Sequence, residues 1–235
     1  MSLKFIKTTL VAGAIAIASF VGQANAGVIG LALIVDGSSS ISPSDWALQM
    51  VGYRNAILAT IPENGSVAVS GTQFSHFPMV FLPMTTITGA NKAGIANHFA
   101  VQRQLGGNTC ISCGILAAYN NARGSGLVFD ELIFDVSTDG FSNVGVDPDG
   151  PAGIPGTAEW AVASNVDVVN CIAIGFGRCG FEAGIGSFSV IAADFTAFEA
   201  TLIAKIRQEL PTPGALGLIG FGLLVLDFYR RRITS

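Results

Sequence analysis

An apolar run that ends abruptly in polar residues is the feature that most constrains the fold of this chain. Residues 28–35 are continuously apolar, and Asp36, Gly37 and three serines follow them at once. An apolar run of this length is typical of a central parallel strand that is covered on both faces. The polar residues then form a loop at the carboxyl end of that strand, where open α/β sheets collect their ligand sites.

The oxygen atoms of this loop have a spacing that suits a metal ion. Alternate residues of an extended segment point the same way, so Asp36, Ser38 and Ser40 can converge on one point. Oxygen ligands of low total charge suit Mg²⁺, which favours octahedral geometry and retains water. The alternative is that these side chains only cap the following helix, a role that serine fills well.

Two later segments have the same character. Thr109 follows Gly106 and Gly107 directly before a helical pattern, and Asp139 follows the apolar stretch of residues 132–136. Each segment therefore lies after a predicted strand or at a predicted helix start. In this order, the three segments resemble the metal-ion-dependent adhesion site (MIDAS) of von Willebrand factor A-type (VWA) domains.

The resemblance implies a specific set of ligands and a cofactor. Ser38, Ser40 and Thr109 would supply hydroxyl oxygens, and Asp36 and Asp139 would bind the ion directly or through water. The implied cofactor is a divalent cation, with Mg²⁺ favoured and Mn²⁺ or Ca²⁺ as alternatives. Two carboxylates leave the ion incompletely neutralised and one coordination position open. An acidic group of a partner can then complete the coordination shell.

The rest of the chain alternates predicted strands with predicted helices. A hairpin is expected over residues 67–82, with its turn at residues 75–77 and with prolines that suit an edge strand. A helix is expected after Ser42, and a last helix near Asp194. This pattern predicts an α/β fold, namely a doubly wound, mostly parallel open sheet with one antiparallel edge strand.

The later part of the chain contains a glycine pattern that could be mistaken for a cofactor site. Residues 143–156 are rich in glycine and proline and predict a long exposed loop, and residues 156–165 predict a returning helix. After the apolar strand predicted for residues 168–174, residues 175–180 match the Gly-x-Gly-x-x-Gly pattern of dinucleotide-binding sites. Because no clear helix follows, we expect a turn here and no bound dinucleotide.

Residues 1–26 have the organisation of a secretory signal peptide. Lys4 and Lys7 precede an apolar run over residues 10–21, and an Ala-x-Ala cleavage site follows at residues 24–26. The run is short for the alternative, a permanent membrane anchor. We therefore expect the protein to be exported.

Residues 210–235 resemble a sorting signal. The box Pro211-Thr212-Pro213 precedes a short apolar segment and an arginine cluster at residues 230–232. This organisation is similar to the PEP-CTERM signal of Gram-negative bacteria, although that family usually has glutamate between the two prolines. The resemblance implies processing by an exosortase-type enzyme and delivery to the cell envelope, the outer surface or an extracellular matrix. The alternative is a plain C-terminal membrane anchor with positive-inside arginines.

Residues 27–209 remain as one expected domain, since their number suits a single core. Between residues 27 and 211 there are 7 Lys and Arg against 15 Asp and Glu, a net charge of −8. Such an acidic domain has no basic stripe for a nucleic acid, whereas its carboxylates favour a bound divalent cation.

The cysteines are expected to form disulfides, as in other exported proteins. Sequence alone leaves three connectivities open, of which we favour the two local pairs. A zinc site would need four thiolates kept reduced outside the cytoplasm, and a redox-active Cys-x-x-Cys would overlap Thr109. The four residues are Cys110, Cys113, Cys171 and Cys179.

The function implied is that of an exported, metal-dependent binding or adhesion module that recognises a protein or an acidic polysaccharide. The alternative is a structural component of an extracellular matrix in which the metal only stabilises the fold. We do not expect an enzyme, because the only histidines, His76 and His98, lie in no triad context and no Walker or Gly-x-Ser-x-Gly motif is present. A metal-dependent hydrolase would also need a general base near the ion, and the sequence offers none.

Overall fold

The computed structural model describes residues 28–210, which form six strands and five helices. The strands are Val28–Asp36 (β1), Asn64–Phe74 (β2), Met79–Thr88 (β3), Phe129–Thr138 (β4), Val168–Ile174 (β5) and Ser189–Ala192 (β6). The helices are Pro43–Thr60 (α1), Lys92–Ala100 (α2), Ile111–Gly124 (α3), Ala158–Ala163 (α4) and Phe195–Glu209 (α5).

The strands form one sheet in the order β3-β2-β1-β4-β5-β6. All neighbouring strands are parallel except β2 and β3, which are antiparallel and place β3 at an edge. The prediction of a mostly parallel open sheet with one antiparallel edge strand is therefore confirmed. The chain order reverses between β1 and β4, so these two central strands flank the topological switch point of the sheet.

Helices cover both faces of the sheet. On one face α1, α2 and α5 pack together, and the Tyr53 ring lies 5.6 Å from that of Phe99 and 5.2 Å from that of Phe198, centroid to centroid. On the other face lie α3 and α4. This double covering explains the continuous apolar run of β1, because both of its faces are buried.

The first helix begins as its sequence predicts. Ser42 caps it, since the Ser42 hydroxyl oxygen accepts a hydrogen bond from the backbone N–H of Asp45 at 3.2 Å, and Pro43 occupies the first turn. The apolar residues spaced along one face of the helix are all buried against the sheet: Trp46, Met50, Tyr53 and Ile57.

Three parts of the fold differ from the sequence-based expectation. The alternating pattern of residues 67–74 predicts a half-buried strand, yet all of these residues are buried, because β3 pairs outside β2 and helices cover both faces. The helix expected over residues 156–165 is only Ala158–Ala163. The short strand β6 was not predicted, since it has four residues, of which only Ala192 is buried.

The described cysteines form two local disulfides, Cys110–Cys113 and Cys171–Cys179, which is the pairing favoured from the sequence. The signal peptide predicted for residues 1–26 and the tail predicted from Pro211 onwards lie outside the described residues. Among the helices of residues 28–210, none combines the length and the apolar character needed to cross a membrane.

Candidate metal centre

The predicted metal ligands lie on loops at one edge of the sheet. Because β1 and β4 are parallel neighbours, their carboxyl ends at Asp36 and Thr138 lie side by side. Asp139 follows directly on β4. The strand order reverses at this point, which is where doubly wound sheets commonly bind ligands.

Asp36 is the last residue of β1 and is fully buried. Its Oδ1 accepts a hydrogen bond from the backbone N–H of Ser38 at 2.9 Å, and its Oδ2 accepts one from the Thr138 hydroxyl at 2.7 Å. On α1, the Gln49 side chain donates to the backbone carbonyl oxygen of Asp36 at 2.9 Å. The position of Asp36 is therefore fixed by its own loop, by β4 and by α1.

A chain of hydrogen bonds runs from this region to the surface through Ser38, Ser40 and Asp139. The Ser40 hydroxyl donates to Asp139 Oδ1 at 2.8 Å, and the hydroxyl oxygens of Ser38 and Ser40 are 2.9 Å apart. Ser38 is buried, Asp139 is half-buried and Ser40 is exposed, so the cluster opens to solvent on the side of Ser40.

The loop that carries Thr109 is bonded to the same segment. The backbone N–H of Gly106 donates to the carbonyl oxygen of Gly37 at 2.8 Å, and that of Ser39 donates to the carbonyl oxygen of Gly107 at 2.9 Å. The N–H of Gly107 in turn donates to the Ser39 hydroxyl at 2.6 Å. These bonds hold the two loops side by side.

Asn143 holds Thr109 from the opposite side. The Asn143 side-chain oxygen accepts a hydrogen bond from the Thr109 N–H at 2.9 Å, and the Asn143 N–H donates to the Thr109 carbonyl oxygen at 2.9 Å. Thr109 is buried, and within residues 28–210 no hydrogen bond joins its hydroxyl to the other predicted ligands. The structure thus places Thr109 beside the cluster through its loop and joins the other four predicted ligands directly: Asp36, Ser38, Ser40 and Asp139.

Gln73, near the end of β2, hydrogen-bonds to the loop that carries Thr109 and packs against Gly37. Its Oε1 accepts a hydrogen bond from the Leu105 N–H at 2.7 Å, and its Nε2 donates to the Arg103 carbonyl oxygen at 3.0 Å. A Cβ atom at Gly37 would lie 2.0 Å from Gln73 Oε1, so the side chain can pass here only because residue 37 is glycine. Gln73 thereby ties the end of β2 to the loop that carries Thr109.

Both carboxyl groups of the cluster have raised pKa values. Burial raises the pKa of Asp36 from 3.8 to about 6, hydrogen bonds from Ser38 and Thr138 partly oppose this, and the charge of Asp139 adds to it. Burial also raises the pKa of Asp139. Within residues 28–210, no Lys, Arg or His nitrogen lies within 4.0 Å of either carboxylate.

The donors of this cluster fit a hard divalent cation. They are two carboxylates and three hydroxyls, all oxygen ligands of the kind that Mg²⁺ and Ca²⁺ prefer, whereas structural zinc sites are built from nitrogen and sulfur. A bound cation would also favour the ionised form of the buried Asp36, which burial penalises. The residues present are therefore compatible with the Mg²⁺ that the sequence predicts.

The cysteines offer no competing metal site. In the described part of the chain, one group of His, Cys, Asp or Glu side chains is close enough to share an ion, and it consists of Cys171, Cys179 and Glu182. The two sulfur atoms are joined in a disulfide and provide no thiolate for zinc. The glycine pattern of residues 175–180 forms a turn after β5 that this disulfide closes, in agreement with the sequence-based prediction.

A cleft of about 600 Å³ lies between the loop that follows Asp139 and the turn after β5, and none of the five candidate ligands lines it. One wall is the loop that follows Asp139, with Phe141, Asp147 and Asp149, and the other is the turn after β5, with Arg178. The Arg178 guanidinium lies over the Phe141 ring, 5.2 Å from its centroid. The cleft is therefore continuous with the segment that carries the candidate ligand Asp139.

Sequence reasoning missed the polar residues that position the ligands. Thr138, Gln49 and Gln73 are all fully buried, and each bonds to Asp36 or to a loop of the cluster. Their signal in the sequence is a polar residue at the carboxyl end of a strand or on the apolar face of a helix. That signal becomes specific only when the neighbouring element is known.

Comparisons with known proteins identify a family and a fold. A family model described as "Protein of unknown function (DUF1194)" matches residues 28–213. No curated protein sequence is significantly similar to this chain.

Solved structures with the same fold include three chains of low sequence identity. Proximal thread matrix protein 1 (PTMP1) from the mussel byssus is 18% identical with a TM-score of 0.60, over 77% of this chain and 47% of that one. The pilus adhesin SpaC from Lactobacillus rhamnosus GG is 13% identical with a TM-score of 0.61, over 79% and 31%. A von Willebrand factor type A structure from Catenulispora acidiphila is 12% identical with a TM-score of 0.56, over 77% and 42%.

These similarities establish the fold alone, which is that of a VWA-type domain. The present chain spans less than half the length of each of the three solved chains. One structure of PTMP1, which is 19% identical to this chain with a TM-score of 0.58, is described as having a zinc-occupied MIDAS motif.

Proposed function

Because the chain belongs to the DUF1194 family, whose function is unknown, we propose a function from the site itself: an exported, metal-dependent adhesion module. Asp36, Ser38, Ser40, Asp139 and the hydroxyl of Thr109 hold a divalent cation, with Mg²⁺ favoured. The module binds an acidic group of a protein or polysaccharide partner through this cation. It acts at the cell envelope, on the outer surface or in an extracellular matrix.

One observation carries this proposal, namely the hydrogen-bonded chain that runs from Ser38 through Ser40 to Asp139 beside the buried Asp36 carboxylate. No Lys, Arg or His nitrogen of residues 28–210 lies within 4.0 Å of that carboxylate. When bound, the cation supplies positive charge and an open coordination position for a carboxylate of the partner. Asp36 anchors the site from within the fold, and the exposed Ser40 marks the side from which the partner approaches.

Two observations support the proposed location of the module outside the cytoplasm. The structurally similar proteins include a pilus adhesin and a thread matrix protein, and a zinc-occupied MIDAS motif is described for the latter. Two disulfides are typical of proteins outside the cytoplasm. Export by the signal peptide of residues 1–26, and sorting of the tail by an exosortase-type enzyme, are parts of the same proposal.

A second candidate function is a structural component of an extracellular matrix in which the cation only stabilises the fold. The likeness to a byssus matrix protein favours it, as does the complete burial of Asp36. A non-catalytic role is common to both candidates. His98 bonds to the Phe81 carbonyl oxygen at 2.8 Å and His76 lies against Asn108, and neither contacts a carboxylate of the cluster.

Thermal unfolding of the purified, disulfide-bonded full chain tests the metal centre. The protein is measured in chelator and then in a Mg²⁺ or Mn²⁺ titration, alongside Asp36→Asn and Asp139→Asn. A ligand that binds only the folded state stabilises it by about 2.7 kcal/mol at one hundred times its dissociation constant. We expect the wild type to be stabilised and both variants to lose this effect.

Asp130→Asn is the matched control, because Asp130 is an exposed carboxylate at the opposite end of β4. It should respond to metal as the wild type does, and an equal response from Asp36→Asn and Asp139→Asn would refute the proposed site. To separate the two candidate functions, retention of the protein on the cell surface is compared between the wild type and Asp139→Asn at a temperature where both are folded. An adhesion module loses retention, whereas a structural component keeps it.

A further inference from the structure

We infer that Arg178 is a second anion-binding point beside the metal centre. The ligand is then an acidic peptide segment of another protein, with one carboxylate at the cation and a second at Arg178. This inference rests on the proposed function, because it assigns the class of partner to the same site.

Arg178 is held close to the candidate ligand Asp139 by its neighbours. The preceding Gly177 packs so closely against β4 that a Cβ atom there would lie 2.3 Å from the Thr138 carbonyl oxygen and 2.9 Å from the Asp139 Cα. Arg178 is the next residue, and its guanidinium lies over Phe141, which follows Asp139 by two positions. Two short connections therefore tie the guanidinium to the candidate ligand Asp139.

Among the described residues, no carboxylate pairs with the charge of Arg178. No carboxylate oxygen of residues 28–210 lies within 4.0 Å of its guanidinium nitrogens, so the charge is stacked on Phe141 but not neutralised. A ring face restricts the guanidinium without using its N–H donors, which match a carboxylate in a planar, bidentate arrangement. The guanidinium thus lines the cleft with its hydrogen-bonding capacity available.

The turn that carries Arg178 is held in place before a ligand arrives. The adjacent Cys179 is bonded to Cys171 in the buried strand β5, and the Gly177 N–H donates to the Ile174 carbonyl oxygen at 2.9 Å. A binding group that is already positioned loses less conformational entropy when the ligand binds.

Charge and exposure distinguish a peptide from a polysaccharide. The net charge of −8 between residues 27 and 211, together with the exposed Asp147 and Asp149 in the same cleft, repels a polymer that carries a carboxylate on every unit. Two exposed aromatic rings, Phe141 in the cleft at 60% and Phe176 on the adjoining turn at 97%, instead offer contact area to apolar side chains. A peptide with two carboxylates around an apolar residue meets all of these conditions.

Small carboxylic acids test the second anion-binding point. The full chain, labelled uniformly with ¹⁵N and saturated with Mg²⁺, is titrated with acetate and with the diacid glutarate. The backbone amide resonances around Asp139 are followed, because the same signals report binding in the wild type and in the Arg178 variants. A charge-assisted hydrogen bond should make glutarate bind about tenfold more tightly than acetate. Arg178→Gln should abolish this difference and leave acetate binding unchanged, and Arg178→Lys should restore only part of it.

Arg207→Gln is the matched control, since Arg207 is exposed in the last turn of α5, and it should keep the glutarate advantage. If acetate binding requires Mg²⁺ but Arg178 does not raise the affinity for glutarate, the assignment of Arg178 as a second anion-binding point is wrong. The proposed function then stands. If acetate shows no Mg²⁺-dependent binding, the proposed function fails and this inference fails with it.

The class of partner is tested with two larger probes on the same samples. One is a blocked peptide that contains Asp-Phe-Glu, and the other is a tetramer of galacturonic acid. We expect the peptide to bind more tightly than the tetramer and to lose its advantage in Arg178→Gln. Tighter binding of the tetramer, dependent on Arg178, would overturn the assignment to a peptide.

Discussion

The Thr138 hydroxyl donates a hydrogen bond of 2.7 Å to Asp36 Oδ2 and so joins the carboxyl ends of the two central strands. It is the side-chain bond that fixes the buried carboxylate to β4, and the backbone N–H of Ser38 fixes the other oxygen. The orientation of Asp36 is therefore set across the sheet, not within its own loop alone.

Thr138→Val should weaken both the fold and the metal site. The substitution leaves Asp36 Oδ2 buried without its donor, which costs about 1–3 kcal/mol of unfolding free energy in chelator. Metal affinity should fall as well, because the carboxylate loses its orientation. Urea unfolding measures the first effect and a Mg²⁺ titration the second. Thr138→Ser keeps the hydroxyl and should behave much like the wild type; equal stability of the Val and Ser variants would mean that the bond contributes nothing.

Gly177→Ala should damage the metal centre from a distance in sequence. Its Cβ atom would lie 2.3 Å from the Thr138 carbonyl oxygen, so the turn or the Asp139 segment must shift. Gly140→Ala is the matched control, since residue 140 adjoins Asp139 and a Cβ atom there meets nothing within 4 Å. We expect a lower Mg²⁺ affinity in Gly177→Ala only. Equal affinities in the two variants would show that this contact does not position Asp139.

The two disulfides should make different contributions. Replacing Cys171 and Cys179 by alanine opens a loop with a sequence separation of 8, which should lower the free energy of unfolding by about 2–3 kcal/mol. Replacing Cys110 and Cys113 opens a separation of only 3 and should cost less stability. That second pair adjoins Thr109, so its loss should instead reduce Mg²⁺ affinity. Urea unfolding and metal titration of both double variants decide whether the contributions divide in this way.

A buried cluster of charged side chains between β4 and α5 should make the free energy of unfolding depend on pH. Lys205 Nζ lies 2.7 Å from Asp135 Oδ1 and also bonds to Glu209 Oε1, to which Asn170 donates at 2.8 Å. Burial and the charge of Asp135 raise the pKa of Glu209 from 4.5 to about 8, although Lys205 and Asn170 lower it in part. Between pH 4.5 and about 8 the folded state therefore keeps a proton on Glu209 that the unfolded state has released. The stability that this proton contributes falls as the pH rises and is lost above about pH 8.

Urea unfolding in chelator at about pH 6.5 and about pH 8.5 measures this loss. Both pH values lie above the raised pKa of Asp36, about 6, so Asp36 adds little to the difference. We expect the wild type to be less stable at the higher pH and Glu209→Gln to show a much smaller difference. Glu159→Gln, at an exposed position on α4, should retain the wild-type slope. A wild type with equal stability at both values would contradict the raised pKa of Glu209.

The fold was predictable because its signals are local. The apolar run of β1, the Ser42 cap and the buried face of α1 each follow from neighbouring residues alone. The short strand β6 escaped prediction, because four residues of which one is buried carry too weak a pattern. Its place in the sheet depends on the turn closed by Cys171 and Cys179, which the sequence does not locate in space.

The sequence predicted that the candidate ligands would lie together, but it did not predict the residues that support them. Asp36, Ser38 and Ser40 share one loop, whereas Thr138 and Gln73 act through elements that only the fold brings near. Charged core residues escaped prediction for the same reason. Lys205 and Glu209 have the spacing of a solvent-facing ion pair, yet Lys205 is 1% exposed because Asp135 comes from β4 to meet it.

The position of Asp36 on the central strand has a mechanical consequence. β1 pairs in one register with β2 over eight residue pairs and with β4 over seven, so both of its edges are bonded along almost the whole strand. Tension applied to a ligand at the metal centre, and directed away from this edge of the sheet, would load β1 along its axis. The two ladders would then have to be sheared at the same time, whereas a load at the edge strand could open one ladder bond by bond.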